Sequence, residues 1–120
     1  MWVRGVRGAV CLQADDPVEM REAVSELLGA MLDRNQITTD EVISLILTAT
    51  PDLVSAFPAA GARDFGFVDV PLLCAQEINV LGALPRVVRV LMHIEGDRDR
   101  ELISHVYLRG AEVLRQDLHP

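Results

Sequence analysis

One arginine inside an apolar strand constrains this chain more than any other feature. The stretch Leu84-Pro85-Arg86-Val87-Val88-Arg89-Val90-Leu91-Met92-His93-Ile94 has the alternation of a buried strand. Val88, Val90, Met92 and Ile94 share one face, and Val87, Arg89, Leu91 and His93 the other. A guanidinium keeps its proton in a protein. Left unpaired in apolar surroundings, it is costly. Arg89 must therefore meet an anion, either a carboxylate of this chain or a ligand.

The remaining pattern supplies a scaffold for that strand. Val3 to Leu12 reads as a first strand, with Arg7 among small residues and two glycines that suggest close backbone packing or a bulge. Asp16 is the N-cap of a long helix, Pro17 fits its first position, and Glu19 resembles the far half of a capping box. Met20, Ala23, Val24, Leu27, Leu28, Met31 and Leu32 continue the helix as one apolar stripe to about Arg34. Glu41 to Thr50 reads as a central strand and Asp69 to Glu77 as a third. Pro58 starts a short helix that Gly66 stops. Glu95 to Glu101 is a charged loop. A short strand is expected near the end of Leu102 to Leu114, followed by a mobile polar tail over residues 115–120.

This order predicts one α/β domain over residues 1–120, with a mixed sheet of about five strands and the long and short helices on one face. So few helices leave the opposite face undercovered, and an apolar sheet face in water is a liability. Self-association through that face is the expected remedy.

The formal charge of −7 argues against nucleic acid as a partner. All eleven basic residues are arginine. That fits either the codon bias of a GC-rich genome or a need for planar, bidentate recognition of carboxylates. No apolar run approaches the ~20 residues of a membrane span, and no charged-then-apolar leader opens the chain. Cys11 and Cys74 lie far apart. The expectation is a reduced, cytoplasmic protein with no membrane association.

Motifs exclude several chemistries. His93, His105, Cys11 and Cys74 lack the spacing of a zinc site, so no metal is expected. There is no phosphate-binding glycine loop and no nucleophile elbow. Cys74 reads as a structural thiol. What remains is a polar set on strands or strand ends, Arg7, Glu77, Arg89 and Tyr107, to which Arg63 and Arg115 could be added. Such a set suits a small polycarboxylate, with electrostatics as the catalytic lever.

Arg4-Gly5-Val6-Arg7-Gly8-Ala9, Ala49-Thr50-Pro51-Asp52-Leu53, Ala56-Phe57-Pro58-Ala59, Val70-Pro71-Leu72, Gln76-Glu77, Arg89-Val90 and His105-Val106-Tyr107-Leu108 occur in one order along the chain. Together with Val113-Leu114-Arg115-Gln116-Asp117-Leu118 they resemble the monofunctional chorismate mutases of the trimeric, pseudo-α/β-barrel class. The resemblance implies rearrangement of chorismate to prephenate by a [3,3] pericyclic shift, with no cofactor and no covalent intermediate. It also implies a homotrimer with sites in clefts between subunits.

The same resemblance assigns roles. Arg89 matches the arginine beside the ether oxygen, and Arg7 the arginine that holds a substrate carboxylate. Glu77 matches the acceptor of the ring hydroxyl, with Cys74 beside it, and Tyr107 a tyrosine near the ether. Phe57, Ala59, Leu72 and Leu73 match cleft-lining positions, partly from a neighbouring subunit. Leu114 belongs to the matched closing segment, and Arg63 and Arg115 match peripheral arginines. Ala60 stands where some members carry lysine, Leu73 where a polar residue lines the cleft, and Gln116 where a proline follows the arginine. A different enzyme of similar trimeric fold, such as an imine or enamine deaminase, and a non-catalytic metabolite-binding trimer are the alternative readings. On the mutase reading, Arg89 points into a cleft with Arg7 nearby rather than into a closed pair with Glu77.

Overall fold

The computed structural model describes residues 2–118. Strand β1 (Trp2–Cys11) is followed by helix α1 (Pro17–Asn35), β2 (Val42–Ala49), α2 (Pro58–Phe65), β3 (Leu72–Gln76), β4 (Val87–Gly96) and β5 (Val106–Leu108). Short 3-10 turns at Thr39–Glu41 and Arg100–Leu102 and a closing 3-10 helix at Ala111–Leu118 complete the chain. The five strands form one sheet in the order β3-β2-β4-β1-β5. β4 lies at its centre, antiparallel to both β1 and β2, while the outer pairs β2–β3 and β1–β5 are parallel. The mixed five-stranded architecture is the one expected.

The strand of Arg89 behaves as its alternation requires. Val88, Val90, Met92 and Ile94 are at most 2% exposed and join Val6, Val10, Leu45 and Leu47 in the core beneath α1. Burying each such side chain contributes about 1.5–3 kcal/mol. Two glycines let the helices approach. A Cβ on Gly8 would stand 2.5 Å from Met31 Sδ, and one on Gly61 would stand 2.6 Å from Val24 Cβ. Gly8 thus seats α1 on β1, and Gly61 seats α2 on α1. Both helices cover the same face, and Arg89 lies on the other.

Local signals act largely as read. Asp16 Oδ2 accepts the Glu19 N–H at 2.8 Å. Glu19 departs from a capping box, because its carboxylate accepts from Gln13 and Ala14 N–H, upstream of the cap. Gln36 ends α1 in the left-handed conformation at φ 53. The second strand begins one residue later than expected because Thr38 and Glu41 close a capping box around the 3-10 turn. The third strand is shorter, Leu72–Gln76 rather than residues 69–77.

The largest correction lies near the C-terminus. The strand expected near the end of residues 102–114 sits in the middle of that segment, and the end is 3-10 helix. Arg109 and Gly110, both at positive φ, turn the chain between the two. Ala111 then packs with Ala9 and Val87, so this helix covers part of the face left open by α1 and α2. Backbone of the expected tail is carried to Leu118 in this helix; His119 and Pro120 lie outside the described residues.

The three-residue β5 is held by a side chain from far away. Asn35, 2% exposed, donates Nδ2 to Met31 O and Ser104 O and accepts the Ser104 N–H at Oδ1, each at 2.8 Å. All the polar atoms of its amide are thereby used at the threshold of β5.

Candidate active site

Register assembles the open face. Thr48 pairs with Arg89, Arg89 with Ala9, and Ala9 with Tyr107, so one row crosses four strands. Arg7 lies two residues from Ala9 on the same face of β1, opposite Leu91. Ala9 is 1% exposed. Its methyl group separates Arg89 from Tyr107 without filling the space between them.

Arg7, Arg89, Tyr107 and Leu114 line one cleft of about 300 Å³, floored by Ala9, Ile46 and Leu91. Among the described residues, no carboxylate, hydroxyl or carbonyl pairs with the Arg7 guanidinium. Arg89 lines the cleft beside Arg7 and also has a partner within the chain. Its Nε lies 3.2 Å from Glu77 Oε2, and the same oxygen accepts a hydrogen bond from Thr48 Oγ1 at 2.6 Å. This ion pair is open rather than sealed: the Arg89 side chain remains 47% exposed and that of Glu77 18%. The ion pair runs through Nε, and the Arg89 side chain, nearly half exposed, lines the cleft. Thr48 and Glu77 hold the fork in one orientation.

The other expected site residues divide. Phe57 and Cys74 line a second depression of about 350 Å³, between the 50–58 segment and the β2–β3 edge. Asp15 pins that segment by accepting the Val54 and Ser55 N–H groups and the Ser55 hydroxyl. These bonds hold the Asp15 carboxyl below its ordinary range. Strand alternation separates Leu72 and Cys74, which pack toward the core, from Leu73, which is exposed on the other face. Ala59 is buried in α2, 6% exposed, and its methyl group reaches neither depression. Arg63 is exposed on α2 and Arg115 on the closing 3-10 helix.

Several residues that shape the candidate site escaped the sequence reading. Thr48, Ala9, Asp15 and Asn35 act through partners 29 to 98 residues away, so only the folded chain reveals them. Alternation could have flagged Thr48, the polar neighbour of Ile46 on the open face of an apolar strand. The thiols behave as structural. Both are free, and burial, then the nearby Glu112 carboxylate, raises the Cys11 pKa, keeping it protonated. No group of three or more His, Cys, Asp or Glu side chains suited to a metal occurs among the described residues. No helix among them is long and apolar enough to cross a membrane.

The fold and site define a small mixed-sheet domain that gathers two arginines and a tyrosine on its open face, with a glutamate just past the end of β3 paired to one of the arginines. The comparisons narrow this. Residues 3–118 match the family model described as chorismate mutase type I. The chain is 48% identical over 117 residues to the chorismate mutase AroH of Thermus thermophilus, covering 97% of this chain and 96% of that protein. It is 38% identical over 119 residues to AroH of Bacillus subtilis strain 168, covering 98% and 94%. A solved chorismate mutase from Clostridium thermocellum, Cth-682, superposes with a TM-score of 0.89 at 40% identity, over 94% of this chain and 99% of that one. The chain belongs to the type I chorismate mutase family, and its enzyme class is that of an isomerase.

Proposed function

We propose that this chain converts chorismate to prephenate, and that the Arg7–Glu77–Arg89–Tyr107 face of its sheet does so without a cofactor. The ether C–O bond breaks as a C–C bond forms, and electron density gathers on the ether oxygen in the transition state. The observation that carries this reading is the half-exposed Arg89, paired through Nε with the Glu77 carboxylate that Thr48 also holds, on the wall of the cleft it shares with Arg7. A donor pre-oriented toward developing charge stabilises the transition state more than the ground state. Arg7, without an internal counter-ion, takes a substrate carboxylate and helps hold the enolpyruvyl arm in a chair-like pose. Glu77 Oε2 is occupied by Arg89 and Thr48, which leaves Oε1 to accept from the ring hydroxyl. Tyr107 stands near the ether, and Leu114 closes one wall.

The reading includes a homotrimer. Phe57 is 75% exposed and Leu73 63%, and the Phe57–Cys74 depression is lined by no cation while the Arg7–Arg89 cleft is lined by two. A site that needs both charge and a shaped wall is complete when one subunit's Phe57–Cys74 depression meets the next subunit's arginine cleft. It also includes a cytoplasmic setting, in keeping with two free thiols. The test is to mix purified protein with chorismate and follow the loss of its ultraviolet absorbance, alongside sedimentation analysis. Turnover by a trimer is expected; binding without turnover, or full turnover by a monomer, would each overturn the corresponding part.

A further inference from the structure

The parallel ladder between β1 and β5 has only three backbone pairs, Gly8–Val106, Ala9–Tyr107 and Val10–Leu108. The next position toward its open end is Arg7 opposite His105. There the ladder is continued by a side chain: the Arg7 backbone N–H donates to His105 Nδ1 at 3.0 Å. A backbone N–H can only donate, so Nδ1 must be unprotonated, and the ring is the neutral form carrying its proton on Nε2. His105 thus closes an extra rung between the two strands that carry Arg7 and Tyr107.

We infer that His105 is a positioning residue, whose Nδ1 locks β5 against β1 and thereby fixes where Arg7 and Tyr107 aim. The inference rests on the proposed role of Arg7 as the carboxylate-holding arginine. His105 touches neither cleft lined by the site residues. It opens instead onto a neighbouring depression that it shares with Arg4, Arg7 and Arg100. Those guanidiniums, two from β1 and one from the 3-10 turn after β4, are the charged groups that line this depression; no carboxylate does. Burial and the Arg7 charge push the imidazole below its ordinary value of 6.5, so the acceptor form prevails at neutral pH.

Protonation has two opposed consequences, and this makes the inference testable. A proton on Nδ1 sets donor against donor and opens the rung, which misplaces Arg7. The added positive charge, by contrast, attracts an anionic substrate. Substrate carboxylates stay ionised between about pH 5 and 8, so a change in KM over that range reports the enzyme. Positioning predicts that KM rises on acidification; simple electrostatic attraction predicts that it falls.

The experiment measures kcat and KM across that range for the native protein, His105→Asn, His105→Ala and Arg7→Ala. Asparagine places Oδ1 at the same position along the side chain as Nδ1 and does not titrate. His105→Asn should keep the native KM at neutral pH and lose the acid limb. His105→Ala should raise KM about 5- to 10-fold, the usual scale for an unmade hydrogen bond. A native KM that falls with acid, or a His105→Asn protein with the same acid limb as the native one, overturns the inference even if His105→Ala fails to fold. A raised KM for Arg7→Ala with an unchanged KM for His105→Ala rejects the role of His105 alone. An unchanged KM for Arg7→Ala rejects the premise and the inference together.

Discussion

The two depressions on this molecule are built differently. The Arg7–Arg89 cleft rises from strands: β4 and β1 are hydrogen-bonded on both sides, and the face beneath them is core. The Phe57–Cys74 depression rises from a connecting segment and the edge strand β3. The first carries the charges and holds them on neighbouring rows of one sheet face. The second is lined by no Asp, Glu, Lys or Arg and offers shape. A reaction that moves electron density but transfers no proton needs fixed charge for its rate and shape for its ground-state fit. Substitutions in the first region should therefore act on kcat, and those in the second on KM.

The sharpest way to break that contrast is Arg89→Ala. Loss of a pre-oriented donor at developing charge typically lowers kcat by roughly 100- to 1,000-fold, and a full charge often counts for more. Because the Arg89 side chain is half exposed, the fold should survive, and circular dichroism can verify that. Steady-state kinetics should show kcat falling far more than KM rises. An unchanged kcat would reject the electrostatic role and with it the distinction between the two regions.

How much of this was legible in the sequence follows the same division. Alternation around Arg89 identified β4 and its buried face, because Val88, Val90, Met92 and Ile94 satisfy a period that a single chain segment carries. Asp16 and Pro17 announced α1, because capping is local. The Arg89–Glu77 pair is the reading that spacing alone favours, and the family resemblance turns it aside; its geometry was not legible. It arises because Thr48 is the register partner of both Ala75 and Arg89, which brings the residue after β3 within reach of β4 across β2. β5 was misplaced for the same reason. Three residues carry too little pattern, and what holds them, Asn35 on Ser104 and His105 on Arg7, spans 69 and 98 residues. Helix caps and faces can be read along the chain; rungs between distant strands cannot.

Asn35 therefore gives the next largest prediction. Asn35→Ala removes three hydrogen bonds made by a buried amide, two of them to the part-buried backbone of Ser104, and should cost about 2–3 kcal/mol. A drop in Tm of roughly 10 °C is expected for a domain of this size. Because Ser104 leads directly into His105 and Tyr107, kcat measured well below the transition should fall too. A loss of stability with native kinetics would mean that the strand-borne cleft does not depend on how β5 is seated.

Asp15→Ala probes the other region. Asp15 accepts three hydrogen bonds from Val54 and Ser55, two residues before Phe57. Releasing them frees the segment without touching a charge in the arginine cleft. KM should rise by about 3- to 10-fold, the range of one modest hydrogen-bonding contribution, while kcat stays near native. A kcat loss as large as that of Arg89→Ala would erase the contrast between a charged wall and a shaped one.

The smallest expected effect concerns stability rather than rate, and its sign is fixed by His105. Its folded pKa lies below the ordinary 6.5 because burial and Arg7 both disfavour the imidazolium. In the unfolded chain the same imidazole titrates near the ordinary value. Around and below 6.5 the unfolded state therefore binds more protons than the folded state, and stability rises with pH. The contribution of neutral His105 is fully present above that value and is lost as pH falls through the lowered folded one. Thermal melts of the native protein and His105→Asn at about pH 7.5 and 5.5 isolate it, since acidic groups titrate alike in both. The native protein should lose more Tm on acidification than His105→Asn does. Equal losses would mean that the imidazole gains a proton without opening the β1–β5 rung, and the strand-borne cleft would then be held by its backbone ladder alone.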